Sequence, residues 1–250
     1  LDPTTLLQKY GKDYVRFFLA SEISYGKDGD FSHKALVTRC NSYLANDLGN
    51  LTQRVVVMLH KHCNGLVPVP GQAALPQPLS GGTSGASGGN DSSSNDECHA
   101  LTALPVGLEP GDLQLLQACD DAIAAAHMHM SHLALKPYCD SVLSVAAAGN
   151  RYIDANAPWA LYKSGDIARM HSVLYTLTEV LRRVAVALAP IIPDSSQQLL
   201  QQLGSTTEHM QSFASISATS AEGRRYVAPG TLTAEPVPVF PRLVLDEDKA

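Results

Sequence analysis

Asn46, Asn50 and Arg54 stand four residues apart in a stretch with helical periodicity. At about 100° per residue the three drift only about 80° around a helix, so they form one polar row. Asn carries a donor and an acceptor together, and Arg a planar fork of donors. Such groups can read the Watson–Crick edges of unstacked bases, which is how RNA loops are recognised. A polar helix back that only hydrogen-bonds its neighbours has the same spacing, so the row alone leaves both readings open. Trp159, the only Trp of the chain, follows Pro158 at a break between helical segments. A Trp at a helix start can offer a flat surface for base stacking; it can also fill core space.

Other reactive chemistry is missing. There is no G-x-x-x-x-G-K-[ST] loop, G-x-G-x-x-G turn or H-E-x-x-H pair. His60 and His62, like His127 and His129, lie two apart, which puts them on different sides of a helix. The acidic residues show no pair that demands acid–base catalysis. Five cysteines, an odd number without a C-x-x-C spacing, signal neither a disulfide framework nor a zinc knuckle, and so a reducing compartment. These residues predict a binding module with no catalytic residue, metal or cofactor of its own.

The elements that must position the row and the Trp follow from periodicity. Asp2-Pro3-Thr4-Thr5 reads as a helix entry, and Leu6 to Ala20 continues it with an interruption at Gly11. Ser21 to Asp30 is a connector. Phe31 to His62 is the longest periodic stretch, with Leu44, Leu48, Leu51 and Val55 forming an apolar face about 130° from the polar row. Asn64-Gly65 stops it. Residues 80–97, rich in Gly and Ser, read as a flexible insertion. Helix resumes from Pro110 to Ala134, breaks near Lys136-Pro137, and runs from Tyr138 to Asp154. Arg169 to Leu188 reads as an amphipathic helix, and Asp194 to Leu203 as a short final one closed by Gly204. The expected fold is all-α, a helical bundle of about five main helices, with a short extended C-terminal tail. Residues 1–30 would be a connector, 31–204 the bundle, and 205–250 a tail packing back on it.

The net charge of −6 argues mildly against a nucleic-acid partner, so charge must be read locally. Between Phe31 and Cys63, Lys34, Arg39, Arg54 and Lys61 face one acid, Asp47. A basic helix in an acidic chain suits a phosphate partner, or is a solvated face. With 45% hydrophobic residues the chain has enough apolar content for a packed core. No apolar run approaches the ~20 residues of a membrane span. The start at Leu1-Asp2-Pro3, without Met, reads as cut from a longer chain.

Taken together the segments resemble methionyl-tRNA synthetase. The resemblance rests on Tyr10-Gly11-Lys12-Asp13-Tyr14-Val15-Arg16-Phe17-Phe18, Gly26-Lys27-Asp28-Gly29-Asp30-Phe31-Ser32 and Asn46-Asp47-Leu48-Gly49-Asn50-Leu51-Thr52-Gln53-Arg54. It continues in Asn150-Arg151-Tyr152-Ile153-Asp154, Ala157-Pro158-Trp159-Ala160 and the closing Phe240-Pro241-Arg242. It implies that Asn50 and Arg54 read anticodon bases and that Pro158 and Trp159 form the family's Pro-Trp pair, with Trp159 stacking on the first base of a CAU anticodon. Asn46 and Gln53 are expected as supporting RNA contacts. The implied partner is tRNA(Met), with neither DNA nor membrane. Methionine and ATP, with magnesium, would be bound by a catalytic domain outside this chain, because the H-I-G-H and K-M-S-K-S motifs are missing; this fragment alone should be inactive. The connector is similar to those of bacterial and organellar members, which with the insertion implies a mitochondrion or chloroplast, the cytoplasm being the alternative. Two rivals stand: the anticodon-binding domain of another class I synthetase, of cysteinyl or leucyl type, and a helical protein-interaction module.

Overall fold

Asp2 opens the first helix, α1 (Pro3–Tyr10), by accepting hydrogen bonds from the amides of Thr4 and Thr5 at 3.1 Å each. Gly11, at φ 83°, closes it. The second helix, α2 (Lys12–Glu22), follows and buries Phe17 and Phe18 completely. Residues expected as a connector therefore contribute to the common core. The structure, a computed structural model, describes residues 2–22, 31–79, 100–206, 208–217 and 224–245. The Gly/Ser-rich insertion at 80–97 and most of the Ser21–Asp30 connector lie outside the described residues.

The long periodic stretch forms one continuous rod made of α3 (His33–Cys40), a π-helical segment (Asn41–Gly49) and α4 (Asn50–Cys63). Ser32 caps its start, and Asn64, in the left-handed region at φ 54°, ends it at the expected Asn-Gly pair. α5 (Pro110–Ser131) and α6 (Leu135–Asn156) pair as neighbours. The break between them falls at His132–Ala134, with Leu133 at φ 54°, and not at Lys136-Pro137. Pro137 sits in the first turn of α6, where its missing N–H has no intrahelical partner to lose.

After α7 (Pro158–Ser164), α8 (Ile167–Leu188) runs through the centre, in contact with α4, α5, α6, α7 and α9 (Pro193–Gln202). The helix is amphipathic as its leucines suggest, but every residue from Met170 to Leu188 is buried, so its polar side does not face solvent. Its polar side is covered by the chain that follows. That chain contains α10 (Glu208–Gln211), a 3-10 turn (Phe213–Ser215) and the strand β2 (Tyr226–Val227), so α9 is not the final helix. β2 pairs antiparallel with β1 (Ala100–Leu101), with Ala100 opposite Val227. These two short strands are the only sheet among the described residues, and five longer helical elements, α2, the rod, α5, α6 and α8, carry the core.

Most of the buried polar side of α8 is engaged; His171 Nε2 and one Arg183 nitrogen are buried without a hydrogen-bond partner among the described residues. Glu179 takes Arg182 at 2.8 Å and Arg183 at 2.7 Å, and accepts from the Val227 amide at 3.1 Å. Arg182 also donates to the carbonyls of Met210 and Arg225, and Arg183 reaches Asp120 on α5 at 2.7 Å. Burial alone would raise the Glu179 pKa; the two guanidiniums outweigh it and hold the carboxyl at about 2. Cys40, Cys63, Cys119 and Cys139 are buried free thiols, each pushed up to about 12 by burial.

Candidate nucleic-acid interface

The polar row is set by the rod, and the π segment changes its geometry. Asn46 belongs to the π segment, whereas Asn50 and Arg54 lie one α-turn apart in α4. A π segment turns less per residue than an α-helix, so the 100° step used for the row does not hold before Gly49. Two of its carbonyls take side-chain donors: Leu48 from the Thr52 hydroxyl at 2.8 Å, and Asp47 from the Asn150 amide at 3.0 Å. Asn150 thus locks α6 to the rod beside the row. Gly149 brings the two closer still, because a Cβ there would lie 2.7 Å from Leu51 Cδ2.

Asn50 is exposed, and Gln53 and Arg54 are half-buried. Asn46 is exposed too, but its side-chain oxygen accepts from Arg242 at 2.5 Å, which ties the C-terminal tail to the rod. Phe240 of that tail is buried against Gly49, where a Cβ would come within 3.4 Å of the Phe240 Cβ. Tyr14 donates to the Pro241 carbonyl at 2.7 Å, and Asn41 exchanges two hydrogen bonds with Leu243. The result is a cleft of about 520 Å³ with Asn46, Asn50 and Gln53 on one wall and Pro238, Val239, Phe240 and Arg242 on the other.

Trp159 is presented by an elbow between α6 and α7. Ala157 sits at φ 39°, ψ 63°, in the left-handed region, and serves as the last cap of α6 and the first of α7. Such a residue is strained by about 1–2 kcal/mol and must be held by its surroundings. Pro158, buried at the first position of α7, fixes the next φ. Behind the elbow, Arg169 of α8 clamps Asp112 with two bonds of 2.7 and 2.8 Å and donates to Asn156 at 2.7 Å. Tyr152 also donates to Asp112. Burial would raise the Asp112 pKa; the hydrogen bonds from Arg169 and Tyr152 prevail and hold it below the ordinary carboxylate value.

The elbow places the indole over α4. Trp159 keeps 41% of its surface exposed, so it does not fill core space. The Arg54 guanidinium carbon lies 5.2 Å from the centre of the ring, and an Arg54 nitrogen lies 2.6 Å from Asp154 of α6. Arg54 is thus held between a carboxylate and an aromatic face, one turn from Asn50. Arg54, Asn50 and Trp159 form one surface, with the tail cleft continuing past Asn46. The local positive charge is smaller than the sequence suggests. Arg39 is spent on Ser21, Glu22 and Asp140, and Arg54 on Asp154, leaving Lys34 and Lys61 exposed.

Sequence reasoning misses two parts of this surface. Asp154 stands there only within a matching segment, and its spacing from Trp159 gives no sign that it meets Arg54. Phe240 and Arg242 belong to a closing tripeptide; their contact with Gly49 and Asn46 spans almost the whole chain and leaves no periodic signal. Among the described residues no group of His, Cys, Asp or Glu could hold a metal ion, and no helix is long and apolar enough to cross a membrane.

Residues 104–238 match the family described as the anticodon binding domain of methionyl tRNA ligase, and residues 1–56 match the class I (M) tRNA synthetases. The methionine–tRNA ligase of Brucella melitensis is 36% identical over 244 residues, covering 98% of this chain and 39% of that protein. That of Thermosynechococcus vestitus is 33% identical over 252 residues, covering 98% and 40%. The apo crystal structure of Mycobacterium tuberculosis methionyl-tRNA synthetase superposes with a TM-score of 0.77 at 29% identity, covering 98% of this chain and 41% of the other. The same enzyme in complex with methionyl-adenylate gives 0.76 at 30%, covering 97% and 40%. The chain spans about 39% of the length of the first of these relatives.

Proposed function

The chain belongs to the methionyl-tRNA ligase family, in the region of its anticodon-binding domain, and from that membership we propose that the face formed by α4 and α7 binds the anticodon loop of tRNA(Met). One observation carries the reading: a half-exposed Trp159 with Arg54 against its ring, one helical turn from an exposed Asn50. Trp159 would stack on one splayed base. Asn50 and Arg54 would hydrogen-bond the edges of its neighbours, with Gln53 beside them in support. Asn46 enters as a tail anchor through its oxygen on Arg242, which leaves its amide donors as its supporting contact to RNA.

The longer protein would activate methionine with ATP and esterify it to tRNA. Its ATP, methionine and magnesium would be held outside this chain. The methionyl-adenylate complex of the mycobacterial relative supports that chemistry for the family. In this division of work the chain supplies specificity and the catalytic domain the reaction. The organellar home is a proposal of the same kind, checked by imaging the tagged full-length protein.

The test is binding of tRNA(Met) against the same tRNA with a changed anticodon, at stated salt, since phosphate contacts weaken as salt rises. Binding should favour the CAU form and fall with salt. Equal binding of the two tRNAs would sink the reading, and preference for a cysteine or leucine tRNA would overturn tRNA(Met) as the partner.

A further inference from the structure

One helical turn beyond Trp159 on α7 stands a second aromatic side chain, Tyr162, with 46% of its surface exposed. Its ring is not loose. The half-buried imidazole of His62, near the end of α4, lies 3.9 Å from it between centres, tilted by 38°. The Tyr162 hydroxyl makes no hydrogen bond among the described residues. The arrangement repeats that of the first site: a residue of α4 backs an exposed ring of α7, as Arg54 backs Trp159. A ring held from behind has already lost most of its rotational freedom, so a ligand that stacks on its outer face need not supply that ordering. The charge around it suits a phosphate chain. Lys61 and Lys163 flank the pair, both exposed and neither in an ion pair among the described residues.

We propose that Tyr162, backed by His62, is a second stacking platform, for a base of the same RNA loop other than the one that Trp159 takes. The proposal rests on the RNA-binding reading above. Stacking on a phenol is tolerant of base identity, because every base has a π-face. Tyr162 therefore contributes affinity and fixes the path of the loop, and leaves the choice of anticodon to Asn50, Arg54 and Trp159. The pair of rings would span two nucleotides of a loop that runs along α7.

The experiment uses the full chain and a synthetic hairpin carrying the tRNA(Met) anticodon loop. A set of hairpins with single abasic sites in the loop accompanies it. Tyr162→Leu keeps the apolar contact with His62 but removes the π-face; Tyr162→Phe keeps the ring. Tyr162→Leu should bind about 5- to 100-fold more weakly with unchanged discrimination against a changed anticodon, and Tyr162→Phe should bind like the parent. One abasic hairpin should weaken the parent yet cause no further loss in Tyr162→Leu, and it should differ from the hairpin that behaves so with Trp159→Ala. Thermal unfolding of each variant checks that the fold is retained. Parent-like binding by Tyr162→Leu, while Trp159→Ala is weakened, overturns the second platform and leaves the first reading standing. A weakened Tyr162→Leu with no coupled abasic position, or equal loss in Tyr162→Phe, also overturns it. If the parent binds no hairpin, both readings fall.

Discussion

Arg54 of α4 and Trp159 of α7, more than 100 residues apart in the chain, are held with the guanidinium carbon 5.2 Å from the indole centre, and Asp154 grips the same Arg54 at 2.6 Å. The contact fixes the indole relative to Asn50 before any ligand arrives. It also gives the single Trp of the chain a position from which its fluorescence reports on this surface alone.

Trp159→Ala should leave the fold nearly as stable, because the indole is exposed and leaves little cavity; a buried Trp would cost about 3–5 kcal/mol. RNA affinity should fall about five- to hundredfold. In the parent protein, adding RNA should change the Trp emission, whereas the same RNA with an abasic first anticodon position should change it less. Chemical denaturation and fluorescence titration on one preparation separate the two effects. A large stability loss would make Trp159 a packing residue.

Arg54→Lys keeps the charge but replaces the planar fork by a point charge. The Asp154 partner is well exposed, so stability should change by less than about 1 kcal/mol. RNA binding should weaken, and the preference for CAU should narrow, since a base edge would lose its paired donors. Retention of both affinity and discrimination in the Lys variant would exclude a base-reading role for the guanidinium.

The Glu179 cluster should show in the acid limb of stability. Its folded pKa is depressed to about 2 from the ordinary 4.5, so its stabilisation is fully present above 4.5 and is lost as pH falls through about 2. The thermal midpoint should fall across that window. Glu179→Gln should flatten this part of the profile and lower stability at neutral pH by about 3–5 kcal/mol, because it leaves Arg182 buried without a carboxylate and Arg183 with Asp120 alone. A profile that keeps the same acid slope in the variant would show that other carboxylates govern it.

Gly149→Ala should destabilise by about 1–3 kcal/mol, because the added methyl meets Leu51 at 2.7 Å in a closed core. In that packed core Leu51 has little room to turn aside, so relief should come from α6 moving away from the rod, which would lengthen the Asn150 bond to Asp47 and shift Asn50. RNA binding should therefore fall together with stability. Unchanged denaturation would mean that Leu51 turns aside without cost.

Much of the fold is legible in the amino-acid sequence. The stops at Gly11 and Asn64 act locally through backbone sterics, and the apolar face Leu44, Leu48, Leu51 and Val55 is buried where periodicity puts it. The differences lie where the local signal is ambiguous. Pro137 reads as a breaker in sequence but is harmless in a first turn, and the left-handed Leu133 has no signature at all. The π segment is invisible to a 3.6-residue count, and it alters the row at Asn46 while sparing Asn50 and Arg54.

The types and spacing of Asn50, Arg54, Pro158 and Trp159 are determined by the sequence alone, as are the helix that carries Asn50 and Arg54, the break at Pro158 and the family resemblance; the short helix α7 that carries Trp159 is not. Each of the features so determined is carried by short local segments of the chain, read one by one. Whether Trp159 faces water or the core, which carboxylate holds Arg54, and what closes the cleft beside Asn46 are decided only by tertiary structure. Each depends on contacts between elements distant in the chain: α4 against α6 and α7, and the tail around Phe240 against Gly49. The buried side of α8 makes the same point. Its Glu179, Arg182 and Arg183 look like a solvated face until Met210, Arg225 and Val227 meet them, because burial of a charge is set by what covers it and not by its own spacing.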